Sequence, residues 1–209
     1  MKENTDVHIE MMLDEIEQLG YVRPTIDMLH KSSTKLSSEV VEIILKWLPA
    51  VYDNRIGSGE HLIRALITTK EPFNPSVIID LFDNSNLNDS LKWTMAYVLS
   101  IANIFDTSAY IRDQLFNKPS DFKRRGFLAS LDKNALFEDR KQLLFALRKL
   151  FDKYDADEYI LKLFKKYGSD NEIVFLENRL SKIYDQKKRD EIEKIIIGIK
   201  KRKKETKFP

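Results

Sequence analysis

The segment from Ser76 to Phe105 constrains the fold more than any other part of the chain. It contains two apolar helical stretches separated by a short polar turn, and Lys92 is the only charged residue between Leu91 and Phe105. A helix that is apolar on nearly every side must be covered on nearly every side. The rest of the chain is therefore predicted to pack around this helix pair, as in an α-helical repeat protein.

Composition supports a folded, helical chain and excludes several other classes. The 209 residues include 43% hydrophobic and 33% charged residues but only six Gly and six Pro, a mixture that disordered proteins do not show. The absence of Cys excludes disulfides and thiolate zinc sites. No apolar run approaches the roughly 20 residues of a membrane span. The first twenty residues are acidic and lack a signal-peptide core, so a cytoplasmic location is expected.

Capping and turn residues divide the chain into ten or eleven predicted helices of 9–16 residues. Seven lie near 5–19, 39–48, 60–69, 108–117, 122–131, 137–152 and 188–203, the Ser76–Phe105 segment contributes two, and two more begin near Asp155 and Ser169. Gly57-Ser58-Gly59 is predicted to break the chain between helices. Asp155-x-x-Glu158 and Ser169-x-x-Glu172 both have the spacing of a capping box, and Gly168 is predicted to end a helix at C′.

No segment shows the alternating Val/Ile/Thr pattern of a strand bounded by two-residue turns. We therefore predict an all-α fold with no β-sheet. Trp47 and Trp93 occupy apolar helix positions, where an aromatic side chain is more often part of the core than a ligand-stacking surface.

The best internal similarity relates residues 26–51 to residues 78–102, each with a short apolar helix, a polar turn and a longer helix carrying a Trp. The better-preserved unit resembles a HEAT repeat: Ile79-Asp80-Leu81-Phe82-Asp83 matches its first helix and turn. Leu91-Lys92, Ala96 and Leu99 match its second helix, although the family usually has Arg where this chain has Lys92. The resemblance covers about thirty residues, and Phe122-Lys123 with Gly126 is similar to a degenerate copy.

The resemblance implies a right-handed α-solenoid of about five antiparallel helix pairs. In that architecture residues 1–209 form a single helical-repeat domain. Residues 1–20 are its N-terminal capping helix, and residues 200–209 are a basic, frayed tail. Second helices of HEAT repeats tend to line the concave face, where a partner would bind.

The sequence contains no recognisable catalytic or metal-binding motif. His8, His30 and His61 are isolated from one another and lack metal-ligand spacing. The carboxylates of Glu10, Asp14 and Glu17 share a helix face, which is also what a solvated helix shows. No phosphate-binding loop or nucleophile elbow occurs, so we expect no catalytic residues, no metal and no cofactor.

The candidate partner-binding residues are basic: Lys92, Lys123, Arg124 and Arg125. If the helices that carry them lie side by side, they form a basic groove for an acidic partner or a phosphate backbone. The alternative is ordinary ion pairing with Asp121, Glu138 and Asp139.

The function we predict is non-enzymatic: binding of another protein, with an acidic protein among the candidates, on the concave face. A bacterial immunity or inhibitor protein that neutralises a toxin is one alternative, because the Lys, Ile and Asn usage suggests a bacterial source. A second alternative is a nucleic-acid-binding protein or a HEAT-like DNA glycosylase, which would need an exposed Trp in a basic groove. A membrane-surface role of the basic C-terminal helix would need a free Ile192–Ile199 face, which we expect to be buried.

Overall fold

The computed structural model describes residues 6–22, 24–31, 35–54, 56–133 and 136–205. Over these residues the chain forms eleven α-helices and two short 3-10 segments, and the predicted all-α fold is confirmed. No β-strand occurs in this part of the chain; backbone pairing between loops is limited to two isolated parallel bridges, Leu36 with Thr69 and Phe73 with Ile104. No helix within the described residues is long and apolar enough to cross a lipid bilayer.

The helices follow one another with short connections. Their bounds are α1 Asp6–Gln18, α2 Ile26–Lys31, α3 Ser38–Asn54, α4 Ile56–Ala65, α5 Ser76–Asn84, α6 Asp89–Ile101, α7 Ser108–Phe116, α8 Arg140–Lys153, α9 Glu158–Tyr167, α10 Asp170–Leu180 and α11 Gln186–Glu205. The 3-10 segments are Leu66–Thr68 and Lys123–Ser130.

Two expectations about chain breaks and helix caps are wrong. Gly57-Ser58-Gly59 lies inside α4 instead of breaking the chain. The predicted capping box at Asp155-x-x-Glu158 does not form, because Asp155 adopts a left-handed backbone with φ 52°. Asp157 caps α9 instead, and its carboxylate accepts a hydrogen bond from the Tyr159 amide at 3.0 Å.

The helix predicted over 122–131 is a 3-10 segment, 123–130, and this segment is pressed against α6. A Cβ added to Gly126 would fall within 3.0 Å of backbone atoms of Trp93 and Tyr97 and of the Ala96 side chain. Only glycine permits this approach. The Ser100 hydroxyl, which donates to the Ala96 carbonyl at 2.8 Å, also lies 3.2 Å from the Gly126 carbonyl.

The chain divides into two compact units, of which the first contains residues 1–114 and 121–130. Within it α1 packs on α3, α2 on α4, and α6 on the 123–130 segment. The fully buried side chains include Met12, Ile16, Val40, Ile44, Leu48, Leu62, Ile63, Leu66, Ile78, Phe82, Met95 and Phe127. α6 is buried on most sides, as its sequence predicts.

The second unit contains residues 115–120 and 131–209. α8 packs on α9, and α11 packs on both α9 and α10. Gly168 ends α9 with an ordinary φ of −58°. Glycine is needed here because there is no room for a side chain: an added Cβ would lie 2.6 Å from Ile199 Cδ1.

That the chain forms a single repeat domain stays a prediction.

The isoleucines of α11 face the interior of the second unit, as expected. Ile192, Ile195, Ile196 and Ile199 are each at most 5% exposed, and burial of such a side chain contributes about 2 kcal/mol. This face is therefore not free for a membrane surface. α11 extends to Glu205, within the predicted basic tail 200–209; residues 206–209 lie outside the described residues.

Candidate functional site

The structure brings Lys92 together with two of the three other predicted binding residues. Lys92 lies in the first turn and a half of α6, while Lys123 and Arg124 begin the 3-10 segment that packs on that helix. The backbone contact at Gly126 fixes the two elements against each other. We call Lys92, Lys123 and Arg124 the basic cluster.

Lys92 is the most unusual member of the basic cluster. It is 6% exposed, and its ammonium lies over the Phe82 ring, 5.8 Å from the centroid. Among the described residues, no carboxylate lies within 4.0 Å of this ammonium. Burial, and then the nearby ammonium of Lys123, lower the pKa of Lys92 below its usual value, because both disfavour the charged form.

Lys123 and Arg124 have partners within the same unit. The Lys123 ammonium makes long ion pairs with Asp89 at 3.8 Å and Asp121 at 3.9 Å. Arg124 pairs with the Asp121 carboxylate and donates from Nε to Gln114 Oε1 at 2.9 Å. The guanidinium of Arg124 is thus held in place, whereas the ammonium of Lys123 is only loosely paired.

Arg125 is half-buried in the same segment and is engaged by neighbouring groups. The ion pairing expected with Asp121 is found for Lys123 and Arg124. Glu138 and Asp139 instead accept hydrogen bonds from Gln142 at the start of α8.

Sequence reasoning missed several residues that complete the site. Phe82 is the ring beneath both Lys92 and Arg124, whose Cζ lies 6.0 Å from its centroid. Tyr110 donates to Asp83 at 3.2 Å, and burial followed by the Asp83 charge raises its pKa. Neither Phe82 nor Tyr110 had a signal in the sequence that assigned it to the site, because only tertiary packing places them here.

The two tryptophans are half-buried, so neither belongs fully to the core as expected. Trp93 stacks on Tyr97, with ring centroids 5.3 Å apart and planes 6° from parallel. Trp47 lies between His8, 5.8 Å away between ring centroids, and the Lys46 ammonium.

The second unit contains a cavity of about 460 Å³ lined by Asp132, Lys133, Arg140 and Tyr167, among others. Three of its polar residues, Asp132, Arg140 and Tyr167, already have structural roles. Asp132 accepts from Lys166 at 2.7 Å and from the Tyr167 hydroxyl, and Arg140 donates to the Tyr167 carbonyl. These pairs stabilise the ends of helices. The Lys133 ammonium makes no ion pair with the described residues, and burial lowers the pKa of Lys133 below its usual value.

No cluster of three or more His, Asp or Glu side chains suited to a metal ion occurs in the described ranges. Comparison with known proteins identified no matching family model, no similar curated protein and no similar solved structure.

Proposed function

We propose that this protein is a binding module, not an enzyme, and that it holds a partner protein through the basic cluster. The observation that carries the proposal is Lys92, a residue that is only 6% exposed and whose ammonium has no ion-pair partner among the described residues. Removing an unpaired charge even partly from water costs stability. Lys92 lowers the stability of the free protein in this way. Its presence is explained if a bound partner supplies the counter-charge.

The surroundings favour a protein over a nucleic acid. Asp83, Asp89 and Asp121 border the basic cluster. Duplex DNA carries a negative charge about every 1.7 Å along its axis, and its neighbouring phosphates would meet these carboxylates. A protein can place one acidic group on Lys92 and neutral groups beside the aspartates. The net charge of +2 also provides little general attraction for a polyanion.

The test uses the wild-type chain and two variants as bait in extract from the native host, followed by reconstitution with the purified partner. Lys92→Met removes the buried charge and keeps most of the stem. Lys141→Met removes an exposed charge in the first turn of α8 and is the matched control. We expect a partner that wild type and Lys141→Met bind equally and that Lys92→Met binds at least tenfold more weakly.

Equal binding of the purified partner by all three baits would contradict the proposal. Retention on duplex DNA that is strong at about 50 mM salt and lost at about 200 mM, and that depends on Lys92, would replace it with nucleic-acid binding.

A further inference from the structure

We infer that this chain associates with a second copy of itself, and that α1 of one copy docks on α11 of the other. The two helices carry none of the residues of the basic cluster, so the inference is independent of the proposed function. It follows from three observations: an exposed face on α1, an exposed face on α11, and the match between their charges.

The face of α1 that points away from α3 combines apolar and acidic side chains. Val7 and Met11 are 44% and 47% exposed. Glu10, Asp14 and Glu17 are exposed too, and none of them forms an ion pair within the described residues. Residues three, four and seven apart share one face of a helix, so these five side chains form a single stripe. No Lys or Arg lies in α1 to offset the carboxylates.

The exposed side of α11 combines an apolar side chain with unpaired positive charges. α11 packs on α9 and α10 through its other side. Lys194 and Lys201 are exposed, and neither forms an ion pair within the part of the chain that the structure describes. Ile197 lies between them in the sequence and is 51% exposed, whereas the isoleucines on the opposite side of this helix are buried.

The two faces match in spacing and are opposite in charge. Glu10 and Glu17 lie seven residues apart on α1, and Lys194 and Lys201 lie seven residues apart on α11. Seven residues span about 10.5 Å of helix, and a seven-residue spacing keeps side chains along the seam between two packed helices. Both pairs of opposite charges can therefore meet at once, with an apolar side chain from each helix beside them.

The acidic residues of α11 argue against a parallel arrangement of the two helices. Asp190 lies one turn before Lys194 and would repel an acidic helix. With Glu10 placed on Lys194 in a parallel arrangement, the same register brings Asp6 of α1 opposite Asp190. Two carboxylates would then face each other at the start of the contact.

An antiparallel arrangement avoids this repulsion. With Glu17 placed on Lys194, Asp190 lies beyond the C-terminal end of α1. The other nearby carboxylate of α11, Glu193, then faces the neutral amide of Gln18. Antiparallel helices also place the positive end of each dipole beside the negative end of the other. The contact is therefore antiparallel.

A second copy is the occupant because one chain carries both complementary faces. A different protein matched to α1 would leave the face of α11 exposed, whereas copies of this chain cover both faces with one contact. Because the two faces differ, the contact is heterologous. Each face can therefore be altered without changing the other.

Sedimentation velocity of the full chain at increasing concentration measures the association. Exposed ion pairs are individually weak and are screened by salt. We therefore expect self-association at about 30 mM salt that weakens at least tenfold at about 500 mM salt. At low salt, Glu10→Lys/Glu17→Lys and Lys194→Glu/Lys201→Glu should each weaken it at least tenfold.

A chain that carries all four substitutions again has opposite charges on the two faces, and it should associate as wild type does. Lys141→Glu/Lys165→Glu changes the net charge as much as the reversal on α11, but at exposed positions on α8 and α9. This matched control and Lys92→Met should both associate as wild type does. Circular dichroism checks that each variant is folded.

A wild-type chain that stays monomeric at low salt overturns the inference, and so does association that the two reversals leave unchanged. Association that both reversals weaken and that the fourfold variant does not restore also overturns it, because the two faces would then not contact each other. Association that is lost with Lys92→Met would assign the contact to the basic cluster instead.

Discussion

Lys92 is held where burial, a second ammonium and a helix N-terminus disfavour its charge, and the nearby carboxylates of Asp83 and Asp89 only partly offset them. Lys92→Met should therefore stabilise the free protein by about 1 kcal/mol, within the range of other single stabilising substitutions. Because the pKa of Lys92 is lowered in the folded protein, the charge costs stability at neutral pH and this cost is relieved as the pH rises toward 10.5. Urea unfolding at pH 7 measures the gain.

Lys141→Met, which removes an exposed charge, should change the free energy of unfolding little. A Lys92→Met variant less stable than wild type would show that Lys92 is a structural residue.

Glu172 is also buried, but hydrogen bonds and an ion pair stabilise its negative charge. Burial opposes ionisation, yet the hydrogen bonds from Ser169 and the guanidinium of Arg148 outweigh it and lower the pKa of Glu172. A lowered pKa adds stability that is complete above about pH 4.5, the ordinary value, and is lost as the pH falls through the folded-state pKa.

Glu172→Gln should cost about 2 kcal/mol at pH 7, the typical value of a hydrogen bond to a charged group, and the difference from wild type should shrink below pH 4. Unfolding in urea across this pH range tests the prediction. Glu177→Gln on the same helix, which removes an exposed pair with Lys200, is the control and should have a small effect. A loss independent of pH would contradict the electrostatic explanation.

At the scale of elements, two glycines should respond in opposite ways to the same substitution. Gly126→Ala forces a Cβ against the backbone of α6 and should destabilise the protein by about 1–3 kcal/mol, as overpacking does. Gly198 lies within α11, and a Cβ there meets no atom within 4 Å. Gly198→Ala should stabilise by about 1 kcal/mol through helix propensity. The melting temperatures of both variants test this prediction. An equal change in melting temperature would contradict the close contact between Gly126 and α6.

The helices could be predicted from sequence wherever local signals decide them. The capping box of Ser169 and Glu172 forms as predicted, and Asn88 caps α6 by accepting from the Leu91 amide. The failures lie where tertiary contacts decide: Gly59 is buried inside α4, and the 123–130 segment tightens into a 3-10 helix against α6.

The candidate site, too, could be predicted where local sequence signals decide it and not where tertiary contacts do. Lys92 is conspicuous in the sequence as a lone charge in an apolar helix, and Lys123 and Arg124 stand out as a basic run. The Phe82 ring and the Tyr110–Asp83 pair were missed, since their places depend on packing between distant segments.

For the whole molecule, a net charge of +2 from 35 basic and 33 acidic residues indicates selective rather than general attraction to anions. We therefore expect little retention on duplex DNA at 150 mM salt, measured by filter binding. Lys92→Met and wild type should be retained equally weakly. Strong retention of wild type alone would favour nucleic acid as the partner.

The most direct test of the account is the change in melting temperature when the purified partner is added to wild type and to Lys92→Met. A ligand that binds only the native state raises the melting temperature by mass action. We predict that the partner raises it for wild type, and that Lys92→Met melts higher than wild type alone and gains nothing from the partner. An equal rise in both proteins, or a Lys92→Met variant that melts lower without the partner, would contradict the claim that Lys92 lowers stability in order to bind a partner protein.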